Sequence, residues 1–304
     1  MNKVFVLECP ACLSRQLVPF LKVTDDRASK EIFELYRCVQ CGLVLTQNHP
    51  AEAEIGRYYD TDDYISHSDK GTSIFERVYF FVRSRMARKK QALIERYTQG
   101  KKLIDIGAGT GFFLAHMQKR GWAVTGIEPN AHAREVALQS HGLKLAEPNE
   151  LFALPALSAD IITMWHVLEH VHRPEYYLKR IHEILNDRGA LFLALPNHQS
   201  FDASFYGLHW AAWDVPRHLW HFSPQAVKTM LLRAGFSLIH QYVLPFDAFY
   251  VALISEKYRG GGLLRMIRGL TIGKLSYFRA LFNKEKASSV VYIFRKKESS
   301  YLRK

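Results

Sequence analysis

From Lys101 to Val243, short apolar runs alternate with segments whose apolar positions recur at helical spacing. Lys102–Ile106, Ala123–Glu128, Ala159–Trp165, Gly189–Leu195 and Phe236–Val243 have the near-continuous apolar character of strands buried on both faces. Leu143–Ala146 is a shorter candidate of the same kind. Between them, Ala131–His141, Pro174–Leu185 and a stretch from Ser223 to about Ala234 read as helices, with Ser223 at the N-cap and Pro224 behind it. Ser289–Arg295 is β-rich and is expected as a last, antiparallel strand. This alternation predicts an α/β fold, a parallel sheet covered on both faces.

The flanks are patterned differently. Residues 1–50 read as a small β-rich module carrying all four cysteines, and residues 51–100 as a linker and helix. The linker opens with the acidic, aromatic patch Tyr58–Tyr64. Ile74–Tyr97 follows, with Phe75, Val78, Val82, Met86 and Leu93 on one helical face. Arg83, Arg85, Arg88, Lys89 and Lys90 decorate it, either as a solvated face or as a polyanion contact. Residues 101–304 form the main domain, interrupted at about 246–286 by an insertion that the alternating pattern does not need. Its segment Leu263–Phe282 mixes apolar residues with spaced Arg and Lys. It is expected either to pack its apolar side on the sheet or a second subunit, or to lie on an anionic membrane surface through residues 260–286.

Charge sharpens that division. Of the net +12, thirteen Lys/Arg against three Glu fall between Glu256 and Lys304, leaving 28 basic and 26 acidic residues elsewhere. Any partner selected by charge therefore meets the C-terminal segment. With 48% apolar residues the 304-residue chain can bury a sizeable core. No basic-apolar-small leader pattern and no uncharged run near the ~18 residues of a membrane span are visible, so a cytoplasmic location is expected, peripheral at the inner membrane face if the insertion binds lipid.

Cys9-Pro-Ala-Cys12 and Cys38-Val-Gln-Cys41-Gly42 are separated by 25 residues. Two such pairs can turn four thiolates toward one tetrahedral Zn2+, making a closed, structural zinc ribbon. A redox disulfide is the competing reading, and it would need only one pair.

The densest chemistry lies in Asp105-Ile-Gly107-Ala-Gly109-Thr-Gly111, between a strand and a helix. A dinucleotide turn wants G-x-G-x-x-G, but here the third glycine comes one residue early and Phe112 takes its place. An acid, Asp105, ends the strand, and a second acid, Glu128, ends the next one, suited to a ribose diol. Together these residues resemble class I S-adenosylmethionine (SAM)-dependent methyltransferases. The resemblance implies a Rossmann-like seven-stranded methyltransferase sheet and a SAM cofactor. It implies Asp105 near the cofactor's amino group, Gly107, Gly109 and Gly111 under its methionine and ribose, and Glu128 on the ribose hydroxyls. Glu147 or Glu150 would meet adenine. Trp165-His166-Val-Leu-Glu169-His170 resembles the strand-4 end of the same family, with His166 lining the methyl-donor pocket.

The loop from His209 to Pro224 is rich in His and Trp. Methyl transfer often needs a base, and His218, Asp214 and His221 are the candidates, with Arg217 available to an anionic substrate group. The His218-Leu-Trp-His221-Phe-Ser run is similar to one in zinc-containing sugar C-methyltransferases, whose large C-terminal domain this chain lacks. A small-molecule or glycan-type acceptor is expected, nucleotide- or lipid-linked sugars included. The alternative is an RNA methyltransferase that uses the zinc ribbon and basic segment to bind nucleic acid.

Overall fold

The computed structural model describes residues 3–59, 74–260, 262 and 264–297. Residues 60–64 of the tyrosine-rich patch lie outside the described residues. In chain order the elements are β1 (Lys3–Val4), β2 (Leu17–Thr24), β3 (Ile32–Cys38), β4 (Val44–Thr46), β5 (His49–Pro50), α1 (Ile74–Ile94), β6 (Lys102–Ile106), α2 (Phe112–Gln118), β7 (Ala123–Ile127) and α3 (Ala131–His141). They continue with β8 (Ala159–Trp165), α4 (Pro174–Ile184), β9 (Leu185–Pro196), α5 (Phe201–Tyr206), β10 (Trp220–His221), α6 (Pro224–Arg233), β11 (Phe236–Val243), α7 (Asp247–Tyr258), α8 (Arg265–Phe282) and β12 (Ser289–Lys296).

The chain divides into two units, Met1–Tyr64 with His166–Tyr176 and Leu193–Ile293, and Ile65–Trp165 with Tyr177–Phe192 and Phe294–Lys304. The larger sheet has the order β11-β12-β9-β8-β6-β7. In the second unit β7, β6 and β8 run parallel, with Asp105 opposite Gly126 and Thr163. Gly126 is there for space, since a Cβ would stand 2.5 Å from the side chains of Leu114 and Leu145. Helix α3 starts at Asn130, whose side chain accepts from Ala133 N, and stops at Gly142 in the left-handed region. Where a further strand is expected over Leu143–Ala146, one parallel bridge joins Ile127 and Ala146. Extension stops there because a 3-10 turn begins at Pro148, with Glu150 accepting from Glu147 N. Among the described residues the sheet thus has six strands and a single bridge in the seventh position.

In the first unit the cysteine segment is not a free-standing module. The sheet β10-β4-β3-β2 pairs Trp220 with Leu45 and His221 with Val44. Its apolar face shares one core with Trp210, Trp213 and Val215 from the His/Trp loop and Ala252 and Ile272 from α7 and α8. Ser223 caps α6 by accepting from Ala226 N. The insertion is a helical pair. Gly269 and Gly273 of α8 come so close to α7 that a Cβ would lie 3.0 Å from Leu253 Cδ2 and 2.8 Å from Phe249 Cα. The small residues of α8 thus pack inward, while its Ile267, Leu270, Phe278 and Phe282 are exposed.

Candidate functional site

In the second unit the turn after β6 is anchored at its start by backbone hydrogen bonds. Ile127 O accepts from both Gly107 N (2.7 Å) and Ala108 N (3.0 Å), and Gly107, Gly109 and Gly111 all have positive φ, 76°, 54° and 74°. A side chain at Gly111 would press to 3.1 Å from Ala137, whereas one at Gly109 would meet nothing within 4 Å. Gly109 thus borders open space, and its N–H donates at 2.7 Å to Glu128 Oε2. The other oxygen of Glu128 accepts from Asn130 N at 2.9 Å. Burial raises the Glu128 pKa against these two donors. Asp105 is fully buried and accepts from Thr163 Oγ1 at 2.5 Å; burial pushes its pKa up to about 7.

A cleft of about 220 Å³ opens beside this turn, lined by Asp105, Gly107, Gly109, Phe113 and Trp165, and on its other side by Arg83 and Lys90 of α1. Arg83 donates to Thr110 Oγ1 at 2.7 Å and lies 4.2 Å from the Phe112 ring centre; Lys90 Nζ sits 4.0 Å over Trp165. The basic helix face therefore sends two of its cations into the cleft. Glu147 and Glu150 are engaged elsewhere, Glu147 with Arg134 at 2.6 Å and Glu150 with the turn.

His166, one residue beyond Trp165, belongs to the first unit. It takes a left-handed backbone (φ 58°) and pairs with Asp247 at 3.2 Å and Glu169 at 3.5 Å. Burial opposes its protonation, but the two carboxylates outweigh it and lift the pKa to about 10. Arg217, expected to face substrate, is buried and committed. Its guanidinium donates to Asp214 Oδ1, to Asp25 Oδ1 at 2.8 Å and to Tyr58 O at 2.9 Å. Burial disfavours the Asp214 carboxylate, yet Arg217 and then His218 hold its pKa at about 2. His218 donates from Nδ1 to Ala212 O at 2.8 Å, leaving Nε2 as an acceptor. Thr46 donates to His218 O, so His221 Nε2 must donate to Thr46 Oγ1, and the buried His221 Nδ1 has no partner among the described residues. Burial drives the His221 pKa well down.

The four cysteines converge: Cys9 Sγ lies 3.5 Å from Cys41 Sγ, Cys12 Sγ 3.4 Å from Cys38 Sγ, and all four sulfurs fall within 4.8 Å. The two knuckles are built alike. Leu13 N donates to Cys9 O and Gly42 N to Cys38 O, at φ 62° and 75° respectively. Hydrogen bonding from Cys9 stabilises the Cys41 thiolate, pulling its pKa to about 5, and by the same bond raises that of Cys9. Four thiolates so placed would repel one another without a cation between them.

Residues 80–241, more than half of the chain, match the family profile described as "Methyltransferase domain". The chain is 27% identical over 157 residues to a ubiquinone biosynthesis O-methyltransferase of Maricaulis maris, covering 47% of this chain and 62% of that protein. The enzyme of the same name from Azorhizobium caulinodans is 25% identical over 171 residues, covering 50% and 65%. The chain thus spans less than two thirds of the length of these relatives. In fold it is similar to a candidate sarcosine dimethylglycine methyltransferase from Galdieria sulphuraria, at TM-score 0.51 and 12% identity over 73% of this chain and 88% of that one. With the strand-turn-helix cradle at residues 105–118 inside the matched region, the chain belongs to the methyltransferase-domain family.

Proposed function

We propose that this protein transfers the methyl group of SAM to a small-molecule or glycan-type acceptor. The observation that carries the reading is the Gly109–Glu128 hydrogen bond beside the open cleft. A carboxylate offers about four acceptor positions; Gly109 and Asn130 use two, leaving the others for a vicinal ribose diol. Asp105 receives the cofactor's ammonium group, and Arg83 and Lys90 its carboxylate. His166, held as an imidazolium between two acids, orients Glu169 and Asp247, since a fixed cation would repel a sulfonium.

Of the three candidate bases the role of taking the acceptor's proton falls to His218, whose Nδ1 is used by Ala212 O and whose Nε2 makes no hydrogen bond among the described residues. Asp214 is too acidic for that task and His221 is sealed in. The relatives' names favour oxygen as the methylated atom. The four cysteines hold a structural Zn2+: a tetrahedral site with ~2.3 Å bonds has S–S edges of about 3.8 Å, close to the separations seen. Calorimetry with SAM tests the core of the reading. Native chain should bind and Gly109→Arg should not, because the new side chain fills the cleft; a native chain that leaves SAM unbound sinks it. Labelled SAM with quinol and sugar-nucleotide acceptors then sorts the acceptor class.

A peripheral membrane contact is supported by α8. Among the described residues no helix is long and apolar enough to cross a membrane. Yet Ile267, Phe278 and Phe282 on one side of α8 are exposed, Phe282 at 92%, as is Leu264 just before the helix, with Arg265 and Lys274 beside them. Apolar side chains interleaved with cations fit an anionic lipid surface better than nucleic acid. Flotation with anionic vesicles should lift the native chain and not Ile267→Glu/Phe278→Glu; a native chain that stays at the bottom removes this contact.

A further inference from the structure

We propose that Glu169, His170 and His218 form a binding site for a divalent transition-metal ion, separate from the four cysteines. One donor atom from each of the three lies within 4.8 Å of the others. Histidine that binds a metal through one ring nitrogen usually donates the other N–H to a carbonyl or carboxylate, which fixes the ring and its tautomer. Both histidines are arranged this way. His170 donates from Nδ1 to Arg217 O at 2.9 Å, with Tyr59 Oη also 3.0 Å away, and His218 donates from Nδ1 to Ala212 O at 2.8 Å. Each Nε2 is left with its lone pair. The rings meet edge to face with centroids 4.5 Å apart.

Glu169 supplies the independent observation. It is completely buried, and neither carboxylate oxygen accepts a hydrogen bond among the described residues. Its nearest cation is the His166 ring, at the 3.5 Å of an ion pair. A buried carboxylate whose oxygens accept no hydrogen bond is costly unless nearby charge compensates it, and the one cation paired with Glu169 among the described residues, His166, is shared with Asp247. Two imidazole nitrogens and a carboxylate suit zinc or ferrous iron and leave coordination positions open. Asp214 Oδ2, 3.9 Å from His218 Nε2, is within reach of a water bound in such a position.

The inference modifies the acceptor reading: with its lone pair on the ion, His218 would no longer take the proton itself, and an oxygen bound to the ion would be the acidified group. Metal binding itself is independent of whether SAM or any acceptor binds.

The test uses the full chain and Co2+ as probe. Thiolate-bound cobalt shows intense sulfur-to-metal charge-transfer absorption, whereas cobalt on nitrogen and oxygen shows weak ligand-field bands alone. The native chain should take up one equivalent of the second kind, and Glu169→Gln and His218→Ala should lose it while any charge-transfer band stays unchanged. A native chain whose bound cobalt is all thiolate-type overturns the proposal, whatever the cysteines hold. Should the variants not fold, zinc-edge anomalous diffraction from the native protein should show a peak among Glu169, His170 and His218. No peak there at 1 mM Zn2+, on the order of a weak site's affinity, overturns it equally.

Discussion

The Gly109 amide donates to Glu128 Oε2 at 2.7 Å, joining the glycine turn to the acid at the next strand end. Glutamine at 128 could accept from Gly109 or from Asn130, but not from both, because one of its two arms is a donor. Hydrogen bonds to a charged partner are worth ~1.5–3 kcal/mol. Glu128→Gln should therefore weaken SAM binding by about tenfold or more by calorimetry, while adenine alone is affected less. An unchanged SAM affinity would remove the ribose role from Glu128.

Asp105 should make stability fall as pH rises. Its pKa is about 7 in the folded protein, chiefly through burial, against 3.8 ordinarily. Between those values the folded state keeps a proton that the unfolded chain has released, so the slope is negative across that window. The full effect is bounded at about 4 kcal/mol by the shift. Asp105→Asn, which keeps the oxygen facing Thr163, should gain on the native chain in urea unfolding as pH goes from 5 to 8. Parallel curves would mean that Asp105 is ionised throughout.

Much of the second unit was legible because local pattern and tertiary role agree there. Lys102–Ile106, Ala131–His141 and Ala159–Trp165 are matched residue for residue by β6, α3 and β8, as Phe236–Val243 in the first unit is by β11. Strand periodicity did not foresee that Leu143–Ala146 yields one bridge, because the turn at Pro148 decides that. Charge patterning missed Arg83 and Lys90 as cleft residues; a basic helix face looks alike whether it meets water or aromatic rings. Arg217 was misjudged for a related reason. Its partner Asp25 is 192 residues away, and no local signal marks a loop arginine as buried. Glu169 and His170 showed their types in sequence but not their union with His218.

Arg83 and Lys90 should report the carboxylate end of the cofactor. Arg83→Met or Lys90→Met is expected to weaken SAM several-fold, more at low salt than at high, since the lost interaction is charge-charge. Decarboxylated SAM should bind the native chain and both variants alike. If the variants lose equal affinity for both ligands, the two cations shape the cleft and do not hold the carboxylate.

The Asp25–Arg217–Asp214 group should govern acid stability. Arg217 is 2% exposed and Asp25 fully buried, so removing one acid leaves a desolvated cation short of a partner. Breaking a buried pair costs about 3–5 kcal/mol, and Asp25→Asn should approach the lower end because Asp214 remains. Burial works against both carboxylates, but Arg217 outweighs it, holding Asp25 below 3.8 and Asp214 at about 2. Depressed acids stabilise above their unfolded pKa and lose that contribution as pH falls through the folded one. The native chain should therefore lose stability steeply from about pH 4 toward pH 2. Asp25→Asn should be less stable at pH 7 and show a shallower acid limb. Equal slopes in a pH series of thermal unfolding would place the acid-sensitive charges elsewhere.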